Sequence, residues 1–248
     1  IGRPDSEYLN PLMCGIYGQY SLNGKPLDPQ YLDAAVDILT HRGPDERGFW
    51  QSDCVQLGMR RLSIIDISTG QQPIWNEDHS RCIVYNGELY NFLDLRPSLQ
   101  SRGHTFRTQS DTEVILHAYE QWGPACLNRL NGMFALAIWD ARTQSLFLAR
   151  DRIGEKPLYY YLDADRLIFA SEIKAILTDP SVPRRLNPQG LANFLAFGHA
   201  VAPQTIYRNI HKLLPGHYLV AREGRIEITQ YWDVGAEPQA IAGQPLTE

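Results

Sequence analysis

The sequence predicts an α+β fold built on antiparallel sheets with helices on their outer faces. Three observations lead there. Short alternating or wholly apolar runs recur toward both ends of the chain, the amphipathic helical runs are grouped between them, and strand and helix do not alternate one for one as a βαβ repeat requires.

The elements follow in order. "CGIYGQYSL" has strand character, with a buried edge strand as its simplest reading. In "NGKPLDPQYLDAAVDILTHRGPDE", Asp28 and Pro29 open a helix whose apolar face is Leu32, Ala35, Val36 and Leu39. "HRGPDERG" is a loop. Strand-like runs at "VQLGMRRLSIID" and "RCIVYNGELYN" lead into a helical run from Phe92 to Arg102. In "SDTEVILHAYEQW", Ser110 and Glu113 have capping-box spacing, and Ile115, Ala118, Tyr119 and Trp122 form an apolar stripe. "MFALAIWD" and "SLFLARD" are strands joined by the turn "ARTQ", and "PLYYYLDADRLIFASE" is another hairpin. Helical runs at "EIKAIL" and "PQGLANFLAF" and the hairpin "HYLVAREGRIEITQYW" complete the chain.

With 248 residues, 44% of them hydrophobic, the chain can bury a substantial core. Its net charge of −5 argues against a nucleic-acid or anionic-membrane partner, because those surfaces demand clustered Lys and Arg. No apolar run approaches the roughly 20 residues of a membrane span, and no signal-peptide layout opens the sequence, so a cytoplasmic protein is expected. The 4 cysteines show no metal-ligand spacing. Cys54, Cys82 and Cys126 read as small core side chains.

Cys14 sits differently, directly after Met13. An N-terminal thiol carries its own base: an α-amine titrates near pH 7.7–8.0 and can accept the thiol proton. A peptide nitrogen cannot, since its lone pair is delocalised. The competing reading of Cys14 is a core cysteine. Asn86-Gly87 in "YNGELY" reads either as a type I′ hairpin turn or as two donors, a side-chain amide and an unhindered N–H, converging on one oxyanion. Arg61 in "RRLSIID" is either half of a surface ion pair or a bidentate grip on a carboxylate. Asp111 is either a first-turn acid complementing the helix dipole or a partner for a substrate ammonium. His41 and Asp45 read as parts of a rigid Gly-Pro loop rather than as a base or a metal ligand, and "RDRIGEKPLYYY" reads as a turn with charged flanks. Neither GxGxxG after a strand nor a Walker loop occurs.

In this order, "MCGIYG", "HRGPDE", "RLSIID", "YNGELYN", "SDTEVI", "LNGMFALAIWD", "RDRIGEKPLYYY" and "LLPGHYLV…QYWD" resemble the amino-terminal glutaminase domain of glutamine-dependent asparagine synthetases, from Met13 to Asp233. These are class II glutamine amidotransferases within the N-terminal-nucleophile hydrolases. The resemblance implies a four-layer αββα sandwich of two antiparallel sheets. It assigns catalysis to Cys14, with Asn86 and the Gly87 N–H as the oxyanion hole. It gives Arg61 the α-carboxylate of glutamine, Asp111 and the neighbourhood of Glu88 the α-ammonium, and the backbone near Ile64 the pocket wall. No metal or cofactor is implied for this part. ATP and magnesium are expected only in a carboxy-terminal synthetase domain of the same polypeptide, which turns aspartate into asparagine. The "SGGLDS"-like motif of that domain does not occur here. Dimers are common in the family, which leaves a homodimer open.

The expected organisation is an upstream extension over 1–13, a glutaminase domain over 14–233 and a linker over 234–248 toward that synthetase domain. Three origins compete for "IGRPDSEYLNPL": translated or cloning-derived sequence ahead of a true start at Met13, a propeptide removed in the cell, or a retained extension that silences the enzyme. The first is favoured because Met13-Cys14 is what initiator-methionine removal requires. With the extension attached, a folded but almost inactive glutaminase is expected. An asparagine-synthetase-like enzyme with another acceptor, or a non-catalytic glutamine-binding module, are the alternatives.

Overall fold

The computed structural model describes residues 13–63 and 66–235. Ile64, part of the expected pocket wall, and the two terminal segments 1–12 and 236–248 lie outside the described residues. Among the described residues, two antiparallel sheets of six strands each form the centre. The first runs β10 (Ile210–Lys212), β8 (Tyr159–Leu162), β9 (Arg166–Ala170), β1 (Gly15–Ser21), β3 (Val55–Arg61), β2 (Glu46–Gln51). The second runs β12 (Arg225–Gln230), β11 (His217–Arg222), β7 (Ser145–Arg150), β6 (Gly132–Asp140), β5 (Arg81–Leu89), β4 (Ile74–Trp75).

Alternation along the strands sorts their side chains into three cores. Ile16, Tyr20, Val55, Leu57 and Met59 of the first sheet meet Cys82, Val84, Ala135, Ala137 and Trp139 of the second in a shared central core. The opposite face of the first sheet, with Tyr17, Ile168 and Ala170, packs on α1 (Leu32–Asp37) and α4 (Ile173–Ile176). The opposite face of the second, with Ile83, Tyr85, Leu136 and Phe147, packs on α2 (Phe92–Gln100) and α3 (Asp111–Trp122). The layers are therefore helix, sheet, sheet, helix, as the resemblance implied. α5 (Pro188–Phe197) is capped by Asn187 and stopped by Gly198 in the left-handed region, and it leaves Phe194, Leu195 and Phe197 exposed. Among the described residues no helix is long and apolar enough to cross a membrane.

Several local expectations are corrected. The helices fall into three groups along the chain rather than one. β1 is an interior strand between β9 and β3, not an edge. Asn86 and Gly87 lie within β5, paired with Ala135 and Phe134, so they make no turn. The turn preference of Asn-Gly is a local one, and here nine residues of β6 register override it. Ser110 caps α3 through the Thr112 N–H, but Glu113 accepts from the N–H groups of Arg107 and Thr108 instead of closing a capping box on Ser110. Cys82 and Cys126 are buried as expected, whereas Cys54 is only half-buried.

Candidate active site

Strand parity assembles the site. Cys14 continues the inward face of β1, packing on the central core beside Ile16. Arg61 shares the inward parity of Val55, Leu57 and Met59 on β3, and Asn86 and Glu88 share that of Cys82 and Val84 on β5. These residues meet at one end of the sandwich around a cavity of about 300 Å³, whose lining includes Cys14, Arg61, Asn86, Gly87, Glu88 and Asp111. Every sequence-predicted site residue among the described ones lies on this single cavity.

The "HRGPDE" loop pins the nucleophile candidate. Arg42 donates from Nε to the Cys14 carbonyl at 3.0 Å, its own carbonyl accepts from the Met13 N–H at 2.9 Å, and its Nη1 pairs with Glu172 at 3.0 Å. His41 also pairs with Glu172, and Asp45 accepts from the Ser63 N–H, so both serve the loop. The Cys14 thiol lies between the Leu62 N–H, 3.4 Å away, and the Leu62 carbonyl, 3.8 Å away. Burial pushes this thiol above the ordinary cysteine range, and the Asp111 charge adds to that. The Leu62 N–H, Arg61 and Arg42 work in the opposite direction.

Hydrogen-bond parity shows what the β5 edge offers. The Tyr85 N–H donates to Gln72 Oε1 at 2.7 Å, and the Leu89 N–H donates to Asp111 Oδ2 at 2.9 Å. Both point away from β6. The Gly87 N–H lies midway between them with the same parity, so it points into the same opening. Phe134 agrees, since its N–H and carbonyl both turn to Asp151 rather than to Gly87. At such a non-hydrogen-bonded pair the backbones approach closely, and a Cβ on Gly87 would stand 2.2 Å from the Met133 carbonyl oxygen. Beside it, Asn86 Nδ2 is buried and has no hydrogen-bond partner among the described residues. An orphaned buried donor is costly, and that cost is relieved when an oxygen arrives.

The charged residues are more deeply set than a surface reading allows. Arg61 is 4% exposed and pairs with Glu46 at 2.7 Å while donating to the Asp66 carbonyl at 2.7 Å, so the surface ion-pair reading is corrected to a pair between a buried Arg61 and a half-buried Glu46. Asp111 is indeed in the first turn of α3, but it is buried. Burial pushes its carboxyl above the ordinary range despite the Leu89 N–H.

Sequence reasoning missed four neighbours. Lys156 reaches the cavity with Nζ 2.9 Å from the Met13 sulfur. Its loop is held by Asp151, whose carboxylate accepts from the N–H groups of Phe134, Gly154, Glu155 and Lys156. Gln72 braces β5 against Thr112, Tyr85 sets a buried hydroxyl near Asp111, and Arg42 anchors Cys14. The paired charges of "RDRIGEK" were the available signal for Lys156.

Comparison with known proteins places this geometry. A family model described as glutamine amidotransferase domain matches residues 13–232. Asparagine synthetase [glutamine-hydrolyzing] 3 of Bacillus subtilis is 40% identical over 229 residues, covering 91% of this chain and 37% of that protein. Amidase chyE of Penicillium rubens is 38% identical over 209 residues, covering 82% of this chain and 30% of that protein. The chain thus spans about a third of the length of these curated relatives. Two solved structures share the fold: a glutamine phosphoribosylpyrophosphate amidotransferase from B. subtilis (TM-score 0.60, 21% identity, 88% of this chain and 49% of that one) and an allosteric regulatory enzyme of purine biosynthesis (TM-score 0.63, 20% identity, 88% and 49%). Two six-stranded antiparallel sheets between helices are thus the fold this chain shares with those two structures. Because the match runs through all the described strands and the cavity between them, the chain is a member of the glutamine amidotransferase domain family.

Proposed function

We propose that, in a form whose first residue is Cys14, this domain hydrolyses glutamine to glutamate and ammonia. The Cys14 sulfur attacks the side-chain amide carbon while the residue's own α-amine takes the thiol proton. The oxyanion forms between Asn86 Nδ2 and the Gly87 N–H. The amine returns the proton to the leaving nitrogen, ammonia departs, and a thioester remains on Cys14. Water adds to that thioester, releasing glutamate and restoring the thiol. Arg61, shared with Glu46, holds the α-carboxylate, and Asp111 with Glu88 holds the α-ammonium.

The observation that carries this reading is the buried Asn86 Nδ2, unpartnered among the described residues, on the cavity that also holds the Cys14 thiol. While Met13 precedes it, the Cys14 nitrogen is a peptide nitrogen and supplies no base. The extended form should therefore fold and bind but scarcely turn over.

We further assign residues 14–233 to this domain and 234–248 to a linker toward a synthetase domain of the same polypeptide. The glutamine-hydrolyzing asparagine synthetase among the relatives supports aspartate as the final acceptor, with ATP and magnesium needed only by that other domain. The exposed apolar face of α5 offers that domain, or a second copy, a surface to cover. An amidase among the relatives supports a different acceptor as the second reading. A cytoplasmic setting, in which thiols stay reduced, suits a free nucleophilic cysteine.

The experiment is an ammonia assay on protein beginning at Cys14, beside the 248-residue chain and Cys14→Ala. Ammonia and glutamate in equal amounts from the first alone is the expected result. Glutamine binding without ammonia release would make the domain a glutamine-binding module instead.

A further inference from the structure

On the outer helical layer, away from the cavity, four ligating side chains converge from three segments. Glu77 comes from the β4–β5 turn, His104 from the connection between α2 and α3, and His117 and Glu120 from α3 itself. One donor atom from each lies within 4.8 Å of all the others. We propose that these four residues form a binding site for a divalent transition metal of the zinc type.

Two imidazoles with two carboxylates are a donor set suited to zinc, and the two negative charges balance the dication. His117 and Glu120 stand three residues apart on α3, which puts them on one face. His117 Nδ1 is 2.8 Å from Glu120 Oε2 and 3.8 Å from Glu77 Oε2, and His104 Nδ1 is 3.7 Å from Glu120 Oε2. Tetrahedral ligands bonded at about 2.0–2.1 Å stand roughly 3.3 Å apart, a value these separations bracket.

A second observation is independent of the cluster's own contacts: the far atoms of Glu77, Glu120 and His104 are each engaged by a group outside it, and that of His117 is buried facing an outside carboxylate. Glu77 Oε1 accepts from the Thr105 N–H at 2.7 Å, and Glu120 Oε1 accepts from Asn76 Nδ2 at 2.6 Å and from Arg81 Nη1 at 3.2 Å. His104 Nε2 meets Gln121 Oε1 at 3.3 Å. His117 Nε2, buried and without a hydrogen-bond partner among the described residues, faces Glu113 Oε1 at 3.8 Å. That leaves Nδ1 of each ring and Oε2 of each carboxylate directed inward, the orientation that outer partners impose on metal ligands. Access exists on the Glu77 side, whose side chain is 33% exposed while that of His117 is 0%. The bound ion would tie α3, which presents Asp111 to the cavity, to the β4–β5 turn. A proton shared between His117 and Glu120 is the competing occupant of the same space.

The test uses the full 248-residue chain with Cys14→Ala, so that the cavity thiol does not contribute, stripped with a chelator and titrated with zinc against a chromophoric competitor. One equivalent should bind. His104→Ala and Glu77→Gln, both at partly exposed positions, should each weaken binding by more than the roughly 10–100-fold typical of an outer partner, and Gln121→Ala by about 10-fold. Cobalt(II) should give the intense visible bands of a four-coordinate ion, lost in His104→Ala. Absence of saturable binding, or binding unchanged in both ligand variants, overturns the proposal and leaves the cluster as a proton-bridged ion-pair network.

Discussion

The Leu62 peptide holds the Cys14 sulfur from two sides, its N–H 3.4 Å away and its carbonyl 3.8 Å away. The N–H favours a thiolate, the carbonyl favours a thiol, and burial decides for the thiol. Alkylation follows thiolate fraction. In the chain carrying Met13, iodoacetamide labelling of Cys14 should therefore climb only at pH above the ordinary cysteine range, as followed by mass of the Cys14 peptide. Asp111→Asn deletes a charge that raises this thiol, so it should move the profile down in pH. A profile at or below that of a free thiol would contradict the account.

Asn86 separates stability from catalysis. Its Nδ2 is already buried without a partner among the described residues, so truncation removes an unsatisfied donor rather than a made bond. For protein beginning at Cys14, Asn86→Ala should lower kcat by about 10²–10³ with KM little changed. Its melting temperature should stay close to that of the parent. A loss of kcat that tracks a loss of fold would instead assign Asn86 a packing role.

The core was legible in the sequence because burial follows period. The face Leu32, Ala35, Val36 and Leu39 and the α3 stripe both pack as their spacing requires, except that Tyr119 and Trp122 stay partly open at the C-terminal end of α3. Ser110 was legible as a cap, and Cys14, Arg61, Asn86, Gly87 and Asp111 were legible as a set. Individually they were ambiguous, since an Asn-Gly pair carries a turn preference that says nothing of β6 lying alongside. What was not legible depends on long-range closeness. Gly87 is glycine because the Met133 carbonyl crowds it, Lys156 reaches Met13 only once Asp151 gathers its loop, and Glu113 reaches back past Ser110. No local rule encodes those distances.

Asp111 should show a trade between stability and binding. Its carboxyl is pushed up by burial, so ionisation at neutral pH costs the folded state stability that would be present below the ordinary carboxylate range. Asp111→Asn removes the charge and can still accept from the Leu89 N–H, so the melting temperature at neutral pH should rise. The charge-assisted bond to a substrate ammonium is lost, and at about 1.5–3 kcal/mol that raises KM for glutamine roughly 10–150-fold in protein beginning at Cys14. Thermal melts and glutaminase kinetics on the same preparation check both signs. A lower melting temperature with unchanged KM would remove Asp111 from the binding set.

His117 sets the alkaline limb of stability in the metal-free chain. Burial opposes its charge, but Glu113, Glu120 and Glu77 outweigh burial and hold the imidazolium up to about 9, against an ordinary 6.5. His104 and the Phe106 ring complete its surroundings. A raised folded value means that the contribution is complete below pH 6.5 and is lost as pH rises through about 9. Glu113 and Glu120 are held below the ordinary carboxylate range, although burial pushes them up, so their contribution disappears only on acidification. With chelator present, the melting temperature should therefore fall between pH 6.5 and 9. His117→Gln lowers stability through packing at every pH, but it removes the titration, so its melting curve across that window should be flatter than the parent's. Parallel curves for the two proteins would show that another group carries the alkaline loss.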